Sequence, residues 1–434
     1  MNANTQPPGT SNADFMARRA AALPRGVGQA HPVFASKAQN AELWDVEGRR
    51  YIDFVAGIAV VNTGHCHPKV VAAAQAQIPL FSHTCFQVVA YDGYLRLAER
   101  LNALAPGNAP KKTFFLSTGA EAVENAIKIA RAATGRPGVI AFQGGFHGRT
   151  LLALGLTGKI EPYKVGVGPF PAEIYHAPFP CELHGVSVDD AIRGVELLFK
   201  SDIEARRVAA FIVEPVQGEG GYYPAPPEFL QRLRSLADQH GILLIADEIQ
   251  TGVARTGKMF AVEHSGVVPD LITMAKGLGG GFPIAAVVGR ADIMDALNPG
   301  GLGSTYAGAP MACAAALAVL DVVESEDLCQ RATTIGEHMQ VRLRELAARQ
   351  RSIGEVRGLG AMVAVEFFND GDHAKPGADL LKAIVAEALK RGLLLLSCGV
   401  YGNVLRLMVP LTIEQAVLDE GLDILCESID AVAG

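Results

Sequence analysis

The sequence has no excess of positive charge: 45 acidic against 38 basic side chains leave a formal net charge of −7. It holds no basic run of the kind that nucleic acid or anionic lipid requires, so a small anionic substrate has to be captured locally. Its seven cysteines are odd in number and contain no CxxC pair, which argues against a disulfide framework and for free thiols in a reducing compartment. No uninterrupted apolar stretch approaches membrane-spanning length. Residues 1–12 are polar, lack the apolar core of a signal peptide and read as a disordered tail. Together these absences predict a soluble, cytoplasmic protein with neither nucleic acid nor membrane as partner.

Other absences narrow the chemistry. No GxGxxG follows an early strand, which removes the dinucleotide fingerprint. No internal repeat or low-complexity segment is found. His65-Cys66-His67 has no complementary ligand pair nearby, and Pro68 fits the first turn of a helix, so the segment reads as a structural loop and no metal is expected.

What is present is a chain of 434 residues with 49% hydrophobic content, long enough for two or more domains. Its centre of interest lies between Leu243 and Pro283. One apolar run, Leu243 to Ala246, stops on Asp247-Glu248-Ile249-Gln250, and a second, Leu271 to Met274, stops just before Lys276. Short apolar runs bounded by turn residues read as strands buried on both faces of a helix-covered α/β sheet. Ligands bind at the carboxyl ends of such strands, so Asp247 and Lys276 share one site, form a buried ion pair or are two unrelated surface charges. A desolvated lysine loses its charge readily and becomes a nucleophilic amine.

The rest of the chain supplies further strand ends. Ala41 to Phe54 reads as two strands around a Glu47-Gly48 turn. Thr113 to Leu116 is a strand, after which Ser117-Thr118-Gly119-Ala120 opens a helix whose N-terminus suits either a phosphate or an ordinary cap. Val139 to Phe142 leads into a glycine loop carrying Phe146 and Arg149, types suited to stacking on a planar ligand and clamping a carboxylate, or to the core and a salt bridge. Val208 to Val213 runs into Glu214 and the Gly218-Glu219-Gly220-Gly221 turn. Later strands are expected at Met362 to Phe367, Leu393 to Leu396 and Val404 to Leu407. Arg406, inside an apolar strand, needs an acidic side chain or an acidic substrate.

These motifs, in this order, resemble the class III pyridoxal-phosphate aminotransferases, and within them the 4-aminobutyrate group. The most telling are the Leu244 to Gln250 block, the Lys276 block, Glu214 to Gly221, Phe146 to Thr150, and Gly303 to Gly308. The resemblance implies a fold type I α/β enzyme: a large domain with a mostly parallel central sheet covered by helices, spanning 68–325, and a smaller α+β domain from both chain ends, 1–67 and 326–434. It implies that Lys276 holds pyridoxal 5'-phosphate as a Schiff base, with Asp247 against the ring nitrogen. Gln250 would bond the ring hydroxyl, Phe146 and Ile249 would sandwich the ring, and Gly119 and Ala120 would offer N–H groups to the phosphate. Thr305 would reach the phosphate of a neighbouring subunit, which makes a homodimer or a dimer of dimers the expected assembly. Ile58, Arg149, Glu219 and Arg406 would contact an ω-amino acid and 2-oxoglutarate. Phe146 stands where tyrosine is usual in that group, Ala120 where serine is and Ile249 where valine is, departures expected to alter cofactor affinity more than chemistry.

Overall fold

A seven-stranded sheet forms the centre of the computed structural model, which describes residues 11–433. Its strands lie in the order Lys111–Leu116, Ala285–Arg290, Leu271–Met274, Leu243–Asp247, Val208–Val213, Gly138–Phe142 and Ile174–Ala177. Ala285–Arg290 runs against both neighbours, while the remaining pairings are parallel. Every residue of Gly138–Phe142 and Val208–Val213 is buried. Ile140 and Phe142 enter one apolar layer, Val139 and Ala141 the other. A strand covered on both faces needs apolar side chains at every position, which is why these runs show no alternation.

Helix Gly119–Thr134 crosses one face of this sheet. It starts with a reciprocal cap in which Thr118 accepts the Glu121 N–H and the Glu121 carboxylate accepts the Thr118 N–H. Val123, Ala126, Ile127 and Ala130 form its buried side, and Gly135 ends it at φ 68°, a left-handed position that suits glycine.

The smaller α+β part draws on both ends of the chain. Strands Ala35–Gln39, Glu42–Asp45 and Arg50–Asp53 form an antiparallel meander, completed by Leu393–Leu394 pairing in parallel with Ile52 and Asp53. Ile353–Leu359, Met362–Phe367, Val404–Leu407 and Leu396–Cys398 make a separate antiparallel sheet. The single strand expected at Leu393 to Leu396 is therefore two, in different sheets. Buried Leu395 is the crossing point, and its carbonyl bonds the His31 ring at 2.8 Å. Between helices Pro310–Ser325 and Leu328–Ala347 the chain turns at Asp327, φ 46°.

Two local expectations need adjustment. Most of the tail foreseen over 1–12 lies outside the described residues, but Ser11 caps helix Asn12–Ala22. Asn12 is fastened to the meander through Asp45 and the Phe34 N–H, contacts that polar composition alone does not reveal. The histidines near residue 66 have other occupations: His65 pairs with Asp53 at 2.8 Å, and His67 accepts the Lys69 N–H at the start of helix Pro68–Gln77. All seven cysteines are free. Among the described residues, no helix is long and apolar enough to cross a membrane.

Candidate active site

Asp247 ends its strand, Lys276 follows the neighbouring strand by two residues, and both face a cavity of about 400 Å³. Gly119, Ala120, Phe146, Glu219, Ile249 and Gln250 line the same cavity. Sheet topology brings them together, because the strands that precede these loops run in one direction and end at one edge.

Asp247 is 2% exposed and multiply held. One carboxylate oxygen accepts the Thr273 hydroxyl at 2.9 Å and the Ile249 N–H at 3.2 Å. The other lies 2.7 Å from Nδ1 of His147, itself buried. Burial opposes charge on that imidazole, but the Asp247 carboxylate, with Glu214 nearby, raises its pKa above the ordinary 6.5. Glu214 accepts the Phe146 N–H at 2.7 Å and the Gly218 N–H at 2.9 Å, tying two site loops together. Burial pushes its carboxyl up to about 7.

Burial is also the main influence on Lys276 and lowers its pKa, with Glu219 opposing and Arg406 reinforcing. Its backbone adopts φ 41°, uncommon for a residue with a side chain and sustained only where the surroundings over-determine it. Gly277 follows where a Cβ would come within 2.4 Å of Asn62 Nδ2, so the turn after the lysine has room for glycine alone.

Arg406, 3% exposed in the Val404–Leu407 strand, has the acidic partner its position demands: Nη1 donates to Glu219 Oε1. Its Nε is buried without a partner. Burial alone would raise the Glu219 pKa, but Arg406, Lys276 and the Tyr163 hydroxyl hold it below the usual range. Arg149 is exposed, with its guanidinium carbon 4.7 Å from the Tyr163 ring centroid in place of the salt bridge considered from sequence. Thr305 is exposed and outside the cavity lining, as is Ile58. Ile58 belongs to a left-handed turn in which Ala56, Gly57, Ile58 and Ala59 have φ of 47°, 62°, 65° and 60°.

Three residues of this neighbourhood were not singled out from sequence: His147, Tyr163 and the structural role of Glu214. His147 sits within the glycine loop that drew attention to Phe146 and Arg149, so proximity to that motif was the available signal. Tyr163 carries none.

The residues present suit pyridoxal 5'-phosphate. Gln250 Oε1 is buried with no partner in the protein, an acceptor that a ring hydroxyl would satisfy. The Gly119 and Ala120 N–H groups begin a 16-residue helix and have no intrahelical acceptor, which suits a phosphate. A Cβ on Gly119 would lie 2.9 Å from Ile249 Cδ1, closing the space beside that side chain.

Comparison with known proteins agrees. A family model described as aminotransferase class-III matches residues 22–429. The chain is 59% identical over 423 residues to a 5-aminovalerate aminotransferase of Pseudomonas aeruginosa, covering 98% of this chain and 99% of that one. It is 57% identical over 420 residues to a 4-aminobutyrate aminotransferase of Escherichia coli, covering 97% and 99%. Among solved structures, the ornithine aminotransferase from Toxoplasma gondii is similar with a TM-score of 0.86 at 32% identity, covering 98% of this chain and 95% of that one. With the match spanning both chain ends, the central sheet and the lysine-bearing cavity, the chain belongs to the class III aminotransferases, fold type I enzymes whose cofactor is pyridoxal 5'-phosphate.

Proposed function

We propose that this enzyme moves the terminal amino group of 4-aminobutyrate to 2-oxoglutarate, giving succinate semialdehyde and glutamate. The observation that carries this reading is the buried pair of Arg406 and Glu219 beside Lys276. An ω-amino acid brings one carboxylate, far from the reacting amine, whereas glutamate and 2-oxoglutarate bring two. An arginine serving the second carboxylate is an uncompensated buried charge while the ω-amino acid is bound, unless a side chain neutralises it. Glu219 supplies that neutralisation on a short, tightly packed helix, Gly218–Gly221, and withdraws by rotation of its side chain when a dicarboxylic acid arrives.

The other roles follow from chemistry and position. Pyridoxal 5'-phosphate, when bound, supplies a carbonyl that captures the amine and a ring that draws negative charge away from the carbon being deprotonated. Asp247 would be the anion for its ring nitrogen and would favour the protonated form of that nitrogen. Lys276 Nζ, lowered in pKa by burial, is the base that takes the proton from the carbon bearing the donor's amino group. Phe146 and Ile249 would flank the ring, and Gln250 would bond its hydroxyl. Gly119 and Ala120 would hold the phosphate together with Thr305 of a second copy, which would make the working unit a homodimer. Arg149, exposed in the loop that follows Phe146, would bind the distal carboxylate as a bidentate fork, with Ile58 as a further substrate contact.

A second reading is favoured by relatives named for 5-aminovalerate at 59% and 60% identity. One methylene in a pocket is worth only about 1–3 kcal/mol, so the two donors differ in degree. Comparing kcat/KM for 4-aminobutyrate and 5-aminovalerate, with 2-oxoglutarate as acceptor, tests the choice. A higher value for 5-aminovalerate replaces the first reading by the second, and activity with neither overturns both.

A further inference from the structure

Tyr163 lies in the segment between helix Leu151–Leu156 and strand Ile174–Ala177, and nothing in its sequence surroundings marks it. In the folded chain it touches three groups of different function. Its hydroxyl donates to Glu219 Oε2 at 3.0 Å. Its ring centroid lies 5.0 Å from that of Phe146, tilted by 58°. The Arg149 guanidinium carbon stands 4.7 Å from the same centroid.

The two oxygens of Glu219 therefore have different holders, Arg406 on Oε1 and Tyr163 on Oε2. A carboxylate fixed at both oxygens is confined to one orientation; fixed at one, it can turn. The phenol keeps its proton to donate, because burial and the Glu219 charge both raise its pKa. Meanwhile the ring face attracts the Arg149 cation and limits where that long side chain can go.

We propose that Tyr163 is a positioning residue that sets which carboxylic acids the site accepts. Its hydroxyl holds Glu219 on Arg406, which favours donors with a single distal carboxylate, and its ring seats Arg149 for that carboxylate. This rests on the Glu219 switch described above. Selectivity between one-carboxylate and two-carboxylate ligands is thus adjusted by a side chain that need not touch either.

The two parts can be separated in the holoenzyme. Tyr163→Phe removes the hydroxyl and keeps the ring, while Tyr163→Leu removes both. A hydrogen bond to a charged acceptor of this kind corresponds to a change of about 10- to 100-fold. In single-turnover measurements, Tyr163→Phe should raise the ratio of kcat/KM for glutamate over that for 4-aminobutyrate by about that factor. Tyr163→Leu should in addition raise KM for 4-aminobutyrate more than for butylamine, which has no carboxylate for Arg149 to bind. Calorimetry reads the same selectivity without turnover: in Tyr163→Phe, glutarate should tighten relative to pentanoate. Combining Tyr163→Phe with Glu219→Ala should give the ratio of Glu219→Ala alone. A ratio shifted by Glu219→Ala but not by Tyr163→Phe overturns the inference and leaves the switch standing. A ratio shifted by neither overturns both, and equal slowing of all substrates shows Tyr163 to be structural only.

Discussion

Replacing Asp247 by asparagine keeps the size of the side chain and removes its charge. Oδ1 can still accept from Thr273 and Ile249, while the position 2.7 Å from His147 Nδ1 becomes an amide NH₂. His147 then has no anion in contact and is expected to become neutral, with Nδ1 accepting from the amide. At an effective dielectric near 20, opposite charges in contact interact by about 4 kcal/mol. Burial already opposes charge on this ring, so the variant's imidazole should titrate below the ordinary 6.5 and the native one above it. The consequences for stability have opposite signs. In the native protein the raised pKa contributes stability that is fully present below about 6.5 and is lost as pH rises through the folded value. In the variant the depressed pKa makes stability fall as pH drops below about 6.5. The gap between the two proteins should therefore widen toward low pH, with that contact energy as its upper bound. Ring NMR of His147 in cofactor-free protein reads the titration directly, and urea unfolding across the pH range reads the stability. Unchanged His147 titration in the variant would refute the reasoning, since it would mean that the pair carries little charge. On the role proposed for Asp247 as the anion for the cofactor's ring nitrogen, the variant should also lower kcat of the holoenzyme.

Other expectations concern the remaining roles. Lys276→Ala should abolish turnover and the borohydride-reducible attachment of cofactor to the chain, with folding retained; normal turnover would remove Lys276 from its assigned role. Thr305→Ala should speed loss of cofactor on dilution in step with dissociation of the dimer, and a monomer retaining cofactor tightly would contradict a shared site. Glu214, with a carboxyl raised to about 7 from 4.5, contributes stability that is present below 4.5 and lost as pH rises through 7. Glu214→Gln should remove that decline, on the order of 3 kcal/mol across the window, whatever the offset in absolute stability, and an unchanged slope in urea unfolding would exclude it.

The parts legible in the sequence were those encoded locally. Runs such as Val208 to Val213 are apolar at every position because both faces are covered, and a charged residue at the end of such a run marks a sheet edge. Ser117-Thr118-Gly119-Ala120 announces a helix start, and Thr118 is the cap. The parts that escaped depend on pairings distant along the chain. His147 gains its significance from Asp247, and Tyr163 from Glu219, through hydrogen bonds between separate loops. The division of Leu393 to Leu396 between two sheets depends on where Ile52 and Arg406 lie, which four consecutive leucines in one apolar segment cannot express.

The parallel pairing of Ile52 and Asp53 with Leu393 and Leu394 bears on how the chain can be made. During synthesis the meander emerges early, with its last strand missing a neighbour. At about 5–20 residues per second, the roughly 340 residues in between take on the order of half a minute to follow. The seven strands of the central sheet are all complete by Arg290 and can assemble in that interval. The meander, by contrast, waits with an open edge, a template for pairing with other nascent chains. Its last neighbour arrives only with the final part of the chain, so the newborn polypeptide is most vulnerable to aggregation at its oldest end.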